Sequence, residues 1–435
     1  MTIRETMNTG TAGDRLAALG EHLKSSPALA APTEEVNSHI HTFYSFSPYS
    51  PTLAAFRARE AGLQAAGSID HDSISAAREM KAACACLGIG STVGCEVRVS
   101  FSGTPYEGFR LNNPDSRNVA YMTIHGVPDD GIETLDAFLN PVRLERERRN
   151  RAMVKKLNRV LKTLKLSAID YDRDVLPLSR SSEGGEVTER HLINALAVSL
   201  VGRAGRGSGL VAFLEQDLLM ALSKTIRERL LDTGNPHYLY DLIGVLKSSF
   251  LERFYIDPDD AECLPVRDVC AFANSIGAIP AYAYLGDISE SPTGDKKAEK
   301  FEDDYLDTFI PQLKSLGFRA VTYMPPRNTK AQLLKLQSLC VINGLMEISG
   351  VDINSSRQSF TCPEVLLPEF RHLIDTTWAL VAHEKLSGLN KSYGLFNPKD
   401  PFAAESLSEC IARYAKIGRG IDRKDPESYV RKHYA

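Results

Sequence analysis

The sequence has no apolar run long enough to cross a bilayer as a helix. Its longest stretches, such as 192–201, fall well short of the roughly 20 residues required. It also lacks a charged-then-apolar leader, so a cytoplasmic protein is expected. No Cys-x-x-Cys occurs among the eight cysteines, and Cys84 and Cys86 would turn apart on a helix, which predicts reduced, mostly buried thiols. There is no surplus of positive charge: a net charge of -4 argues against a general nucleic-acid or membrane-surface binder, though local basic patches stay open. No Gly-x-Ser-x-Gly elbow follows a strand, which disfavours a serine hydrolase. The glycine-rich stretch 202–209 lacks the Gly-Lys-Ser/Thr ending and the preceding strand of a phosphate loop, and reads as a flexible connector. What is present is ordinary for two or three soluble globular domains: 435 residues, 43% hydrophobic and 24% charged.

The chain is organised around residues 36–42, which read as a strand ending in His39 and His41. The period of a strand puts both imidazoles on one face, where they make a poor apolar core and a good pair of nitrogen ligands. Ahead of it, residues 1–33 form an extension with a short amphipathic helix near 14–23. After it, Ser50-Pro51-Thr52 caps a helix that stops at Gly62. A second strand ends in Asp70-His71, and Asp72-Ser73 opens a helix ending near Gly88. A third, 91–101, carries Glu96, and a fourth, 118–127, carries His125.

The rhythm breaks after Pro128. Residues 141–262 are almost wholly helical and read as an insertion whose first helix sets Arg143, Arg146, Arg148, Arg149, Arg151, Lys155, Lys156 and Arg159 around an apolar stripe. The stripe is core, and the basic face is expected in solvent, with the capacity to attract a phosphorylated substrate. Alternation resumes with a helix at 266–276, a strand at 278–285, a charged helix at 298–316, a strand at 320–324, a helix at 329–343 and a last strand at 345–353 that delivers Asp352 and Asn354. The predicted organisation is an extension (1–33), a seven-stranded α/β barrel in two parts (34–140 and 263–395), the insertion (141–262) and a C-terminal tail (396–435). Barrel chemistry gathers at the C-terminal strand ends, where His39, His41, Asp70, His71, Glu96, His125 and Asp352 fall. Mixed imidazole and carboxylate donors suit zinc, manganese or iron better than magnesium or calcium.

This pattern resembles the PHP (polymerase and histidinol phosphatase) metallophosphoesterases. The likeness rests on His39-Ile40-His41-Thr42 with Ser45, Ile69-Asp70-His71-Asp72, Gly94-Cys95-Glu96-Val97, Ile124-His125-Gly126-Val127 and Ser349-Gly350-Val351-Asp352, and spans most of 36–390. It looks closest to the branch that hydrolyses nucleoside phosphates and short oligonucleotides, which also carries a helical insertion; Thr188-Glu189-Arg190-His191-Leu192 resembles an insertion motif of that branch. The resemblance implies a distorted seven-stranded (β/α) barrel with up to three metals and a bridging hydroxide that attacks phosphorus. Carried over, His39, His41, Glu96 and Asp352 complete the first site, Glu96 bridges to a second with His125, and His71 belongs to a third, oriented by Asp70.

The chain departs from that pattern at three places. Phe46 stands where an aspartate or histidine is usual, Tyr284 where an Ala-His-Pro histidine is usual, and Asn354 closes the Asp-x-His motif. One or two divalent cations (Zn, Mn or Fe) are therefore expected, with Asn354 and Tyr284 as weak substitutes in the ligand and catalytic roles, and the third position stripped. Arg190, Arg327 and Lys330 are the cations available to a phosphate, and Asp287 could replace a missing ligand. The favoured expectation is a metal-dependent phosphoesterase acting on a small phosphorylated metabolite or nucleotide, without a stable nucleic-acid complex. The alternatives are a metallohydrolase of the same architecture working on a non-phosphate bond, and a degenerate barrel that binds metal or ligand without turnover.

Overall fold

The computed structural model describes residues 2–25, 29, 31–113, 116–287, 302–400, 406–422, 425, 428, 429 and 432. Its strands are β1 Val36–Ile40, β2 Ala65–His71, β3 Gly90–Ser100, β4 Val119–His125, β5 Leu264–Pro265, β6 Ile279–Ala283, β7 Ala320–Tyr323 and β8 Met346–Ser349. Seven of them run in the order β1-β2-β3-β4-β6-β7-β8, and the two-residue β5 pairs with β3 outside that path. The ring closes just beyond β8, where Ile353 bridges Ile40 in parallel and His41 N–H donates to the Ile353 carbonyl at 2.9 Å. The fold is thus an α/β, distorted seven-stranded barrel with a helical excursion between β4 and β5.

Local sequence explains the elements. The helix Pro51–Glu60 opens with Ser50 Oγ accepting from the Leu53 N–H and proline at its start. Ala77–Leu87 ends on Gly88, whose φ of 72° suits a residue without Cβ. Close strand approach also requires glycine: a Cβ on Gly94 would fall 2.0 Å from the Ile124 carbonyl oxygen, and one on Gly350 would fall 2.2 Å from the Cβ of His39.

The structure changes several expectations. β4 pairs antiparallel with both β3 and β6, so one of the seven strands runs against the others. The first helix of the excursion does not begin at Pro141; it runs unbroken from Ile132 to Thr163 with Pro141 inside it. The start of the helix expected at 298–316 lies outside the described residues, and from Asp303 to Leu316 the chain forms a series of short helical turns broken around Pro311. The C-terminal tail contains the helix Leu407–Gly420, which buries Cys410, Tyr414 and Ile417 against the barrel side. The N-terminal extension is anchored by Arg15, fully buried and paired with Glu79 at 2.6 Å.

Among the described residues two apolar cores result. One fills the barrel and its surrounding helices; the other lies within residues 153–254 and takes one residue from the barrel, Phe46. The seam between them is ionic. Arg146 and Arg149 lie on the buried face of the long helix rather than on the solvated face expected of them. With Arg98 of β3 they surround the buried Glu262, with Arg146 also 2.5 Å from Asp72 and Arg149 2.7 Å from Glu189. Among the described residues no helix is long and apolar enough to cross a membrane.

Candidate metal centre

β1 carries His39, and the residue just past its end is His41; both are buried at the barrel mouth, with their Nε2 atoms 3.3 Å apart. β2 and β3 lie in register with His71 opposite Glu96. One oxygen of Glu96 therefore sits 3.4 Å from His71 Nδ1, 3.7 Å from His41 Nε2 and 3.8 Å from His39 Nε2. Asp352, just before the closing bridge and at a left-handed φ of 50°, faces His41 Nε2 at 2.9 Å. A non-glycine residue held in that conformation is strained, and the barrel closure holds it there. Among the described residues two overlapping triads result, His39-His41-Asp352 and His41-His71-Glu96, each with its donor atoms within 4.8 Å of one another.

The electrostatics derive from burial. Desolvation drives the His39 imidazole down to about 4 and pushes the Glu96 carboxyl up to about 7. His41 moves upward instead, because its bond to Asp352 and the nearby carboxylates outweigh the burial that would lower it. The same pair holds Asp352 well below the usual carboxylate range despite its own burial.

The sequence-predicted residues are not all gathered. His125 stands apart from both triads: β4 runs backwards, so its C-terminal end pairs with Ile279 at the start of β6 and its last residue lies deeper in the barrel than Glu96. Both of its ring nitrogens are buried with no hydrogen-bond partner among the described residues, and burial lowers it to about 3, with a further push from His39. Asp70 does not serve His71. Its carboxylate accepts from Thr42 N–H (2.7 Å), Thr42 Oγ (2.6 Å) and Ser45 Oγ (2.6 Å). Asn354 donates to Asp352 at 3.0 Å. The hydroxyl of Tyr284 donates to Asp303 at 2.6 Å. Asp287 takes part in that same knot, accepting from the Glu302 N–H at 3.1 Å. Phe46 packs edge-on against His191, with ring centroids 4.9 Å apart, inside the helical core. Arg190 is half-buried and close enough to Asp352 to help depress its carboxyl. Arg327 donates to the Leu285 carbonyl, and Lys330 pairs with Glu369.

The donor set fits a divalent cation. Neutral imidazole nitrogens and carboxylate oxygens crowd a common point, and the unpartnered nitrogens of His125 lie below it; mixed donors of this kind suit zinc, manganese or iron.

Sequence reasoning missed Arg98 and Glu262, whose signal was weak, named Glu189 only as part of the insertion motif and not as an ion-pair partner, and missed Ser45's link to Asp70. The arginines 146 and 149 carried a readable sign, since they share a helix face with Val142 and Met153.

No family model matches the chain, and no curated protein does. Among solved structures it is similar to a Bifidobacterium adolescentis protein provisionally described as a metal-dependent phosphoesterase (18% identity, TM-score 0.49, 78% of this chain and 96% of that one). It is also similar to an amidohydrolase from Chromobacterium violaceum with bound sulfate and no metal (17% identity, TM-score 0.49, 75% of this chain and 90% of that one).

Proposed function

We propose that the chain is a metal-dependent phosphoesterase of the PHP kind, hydrolysing a small phosphorylated metabolite or nucleotide. The observation that carries this reading is the convergence of His39, His41, His71, Glu96 and Asp352 at the barrel mouth, with Arg190 beside it. His39, His41, Glu96 and Asp352 would hold a first cation, and Glu96 with His125 a second. When bound, such a cation lowers the pKa of water and neutralises charge on the oxygens of the scissile group. The protein's own residues supply the rest. Arg190 offers a planar fork of donors to an anionic group and makes no hydrogen bond or ion pair among the described residues, so no internal carboxylate must be displaced first. Arg98, Arg146 and Arg149 are already neutralised by carboxylates and hold the helical region against the mouth.

A second reading, hydrolysis of a non-phosphate bond on the same centre, draws on Phe46, Tyr284 and Asn354. The first is committed to the helical core and the second to Asp303, so fewer groups face the charge of a phosphoryl oxygen. Phosphate release from a panel of nucleotides and sugar phosphates, with manganese or zinc added, is the test, run beside amide and lactone substrates. The phosphoesterase reading expects phosphate from at least one member and its loss in His41→Ala and Glu96→Ala; turnover confined to amides or lactones overturns it.

A further inference from the structure

Ser45 lies four residues after His41, on the turn that leaves β1, and is fully buried. Its hydroxyl has one proton. That proton goes to Asp70 Oδ1, because the 2.6 Å separation is the short contact of a hydroxyl donating to a carboxylate and Asp70 has no proton of its own to offer when ionised. The oxygen of Ser45 is then left as an acceptor, and the group it faces, at 3.3 Å, is Nδ1 of His41. Thr42 fixes the other end, its N–H and hydroxyl both donating to Asp70 at 2.7 and 2.6 Å. The direction of every hydrogen bond in the line is therefore set from the carboxylate outward.

We propose that Ser45, anchored by Asp70, is a positioning residue that keeps a proton of His41 on Nδ1, so that a cation binding at Nε2 displaces the proton that nitrogen shares with Asp352 and meets its lone pair. This rests on the metal-centre reading above. An imidazole whose far nitrogen is held by an acceptor presents its lone pair in a fixed plane; without that acceptor it must give up rotational and tautomeric freedom on binding. Asp70 and His71, adjacent in sequence, approach His41 differently: successive side chains on β2 point to opposite faces, and Asp70 holds Ser45 against Nδ1 of His41 while His71 joins the triad with His41 and Glu96.

The test uses the full chain and Zn²⁺ as probe, with affinity read by competition against a chromophoric chelator. Ser45→Ala is expected to weaken Zn²⁺ binding by about 10–100-fold, the usual effect of removing a ligand's hydrogen-bond partner. The thermal midpoint of the metal-free protein serves as the control for folding. In Zn²⁺-loaded protein labelled with ¹⁵N at histidine, the His41 Nδ1–H resonance is expected to exchange slowly with solvent and to lose that protection in Ser45→Ala. Asp70→Asn in the Ser45→Ala background is expected to add little, since both act through one line of bonds. Unchanged affinity and unchanged Nδ1–H exchange in Ser45→Ala overturn the inference, as do fully additive losses in the double variant. Should Asp70→Asn fail to fold, Ser45→Ala alone still decides. A wild-type chain that binds no Zn²⁺ defeats the metal-centre reading itself, a result distinguishable from wild type and Ser45→Ala binding equally.

Discussion

Replacing Glu262 with glutamine keeps its shape and removes one charge from the seam between barrel and helical region. The carboxylate is 1% exposed and faces three guanidinium groups: Arg98 at 3.1 Å, Arg146 at 3.0 Å and Arg149 at 2.5 Å. Burial alone would raise its pKa, yet the arginines hold it below the usual range, so it is ionised in the native state. Glu189 and Asp72 complete the set, giving three negative partners for three positive ones. Glu262→Gln strands one buried positive charge. Removing one partner of a buried pair costs about 3–5 kcal/mol, a large part of the roughly 5–15 kcal/mol by which a domain is stable. The single tryptophan, Trp378, lies in the barrel helix His372–Leu389 and reports the barrel by fluorescence, whereas far-ultraviolet circular dichroism weighs the helical region heavily. In urea the variant's dichroism midpoint is expected to fall well below that of wild type and to precede its Trp378 transition. Arg148→Ala, which breaks an exposed pair with Asp259, leaves both midpoints in place. Glu189, gripped by Arg98 and Arg149, adjoins Arg190, so loosening the seam also raises KM for an anionic substrate. A dichroism midpoint within error of wild type refutes the argument that this carboxylate neutralises the seam.

The same geometry sets other expectations. His41→Ala, which removes a member of both triads, abolishes stoichiometric metal uptake measured by elemental analysis, while Asn354→Ala leaves it largely intact. Arg190→Ala raises KM for a phosphorylated substrate at least tenfold with little change in kcat for a neutral one, as steady-state assays with both kinds read out. Glu384 is buried beside Lys81 and accepts from the Val93 N–H; burial pushes its carboxyl up to about 7. With a native pKa above the unfolded value near 4.5, the folded state binds the extra proton. The group's contribution therefore falls as pH rises from about 4.5 to about 7 and is flat above, by roughly 3 kcal/mol in all. Glu384→Gln flattens that part of the slope in denaturation midpoints taken across this window; an unchanged slope assigns it to another group, with Glu302, also near 7, the next to test.

How much of this could be read from the residues depends on what kind of information each feature carries. His39 and His41 are legible because strand periodicity alone puts them on one face, and the register of β2 on β3 does the same for His71 and Glu96. Strand direction is different. Periodicity says where a strand is but not which way it runs, so His125 reads as one more residue at the C-terminal rim. The cue lay in the connection: a parallel crossover needs a dozen or more residues, usually a helix, and the stretch between β3 and β4 carries Gly103, Pro105 and Gly108 with no helical repeat. Likewise the charge of the long helix is visible, but its burial depends on carboxylates from Asp72 to Glu262 that only the tertiary fold brings together.

The reversal of β4 also bears on what the centre can do. Were β4 parallel, His125 would reach the rim with the other donors; running backwards, it enters the barrel below Glu96, with both nitrogens buried and unpartnered among the described residues. A buried imidazole with nothing to bond to is costly unless something fills the gap. Glu96, one layer above on the neighbouring strand, is the carboxylate placed to share a cation with it, while Phe46 and Tyr284 are spent on packing and on Asp303. The donors thus divide by depth into a crowded upper set and a sparse lower one, and stepwise metal loading is the expected consequence. His125→Ala should remove the weaker step of a two-step titration and leave the tighter one; loss of the tighter step instead would mean that the lower position fills first.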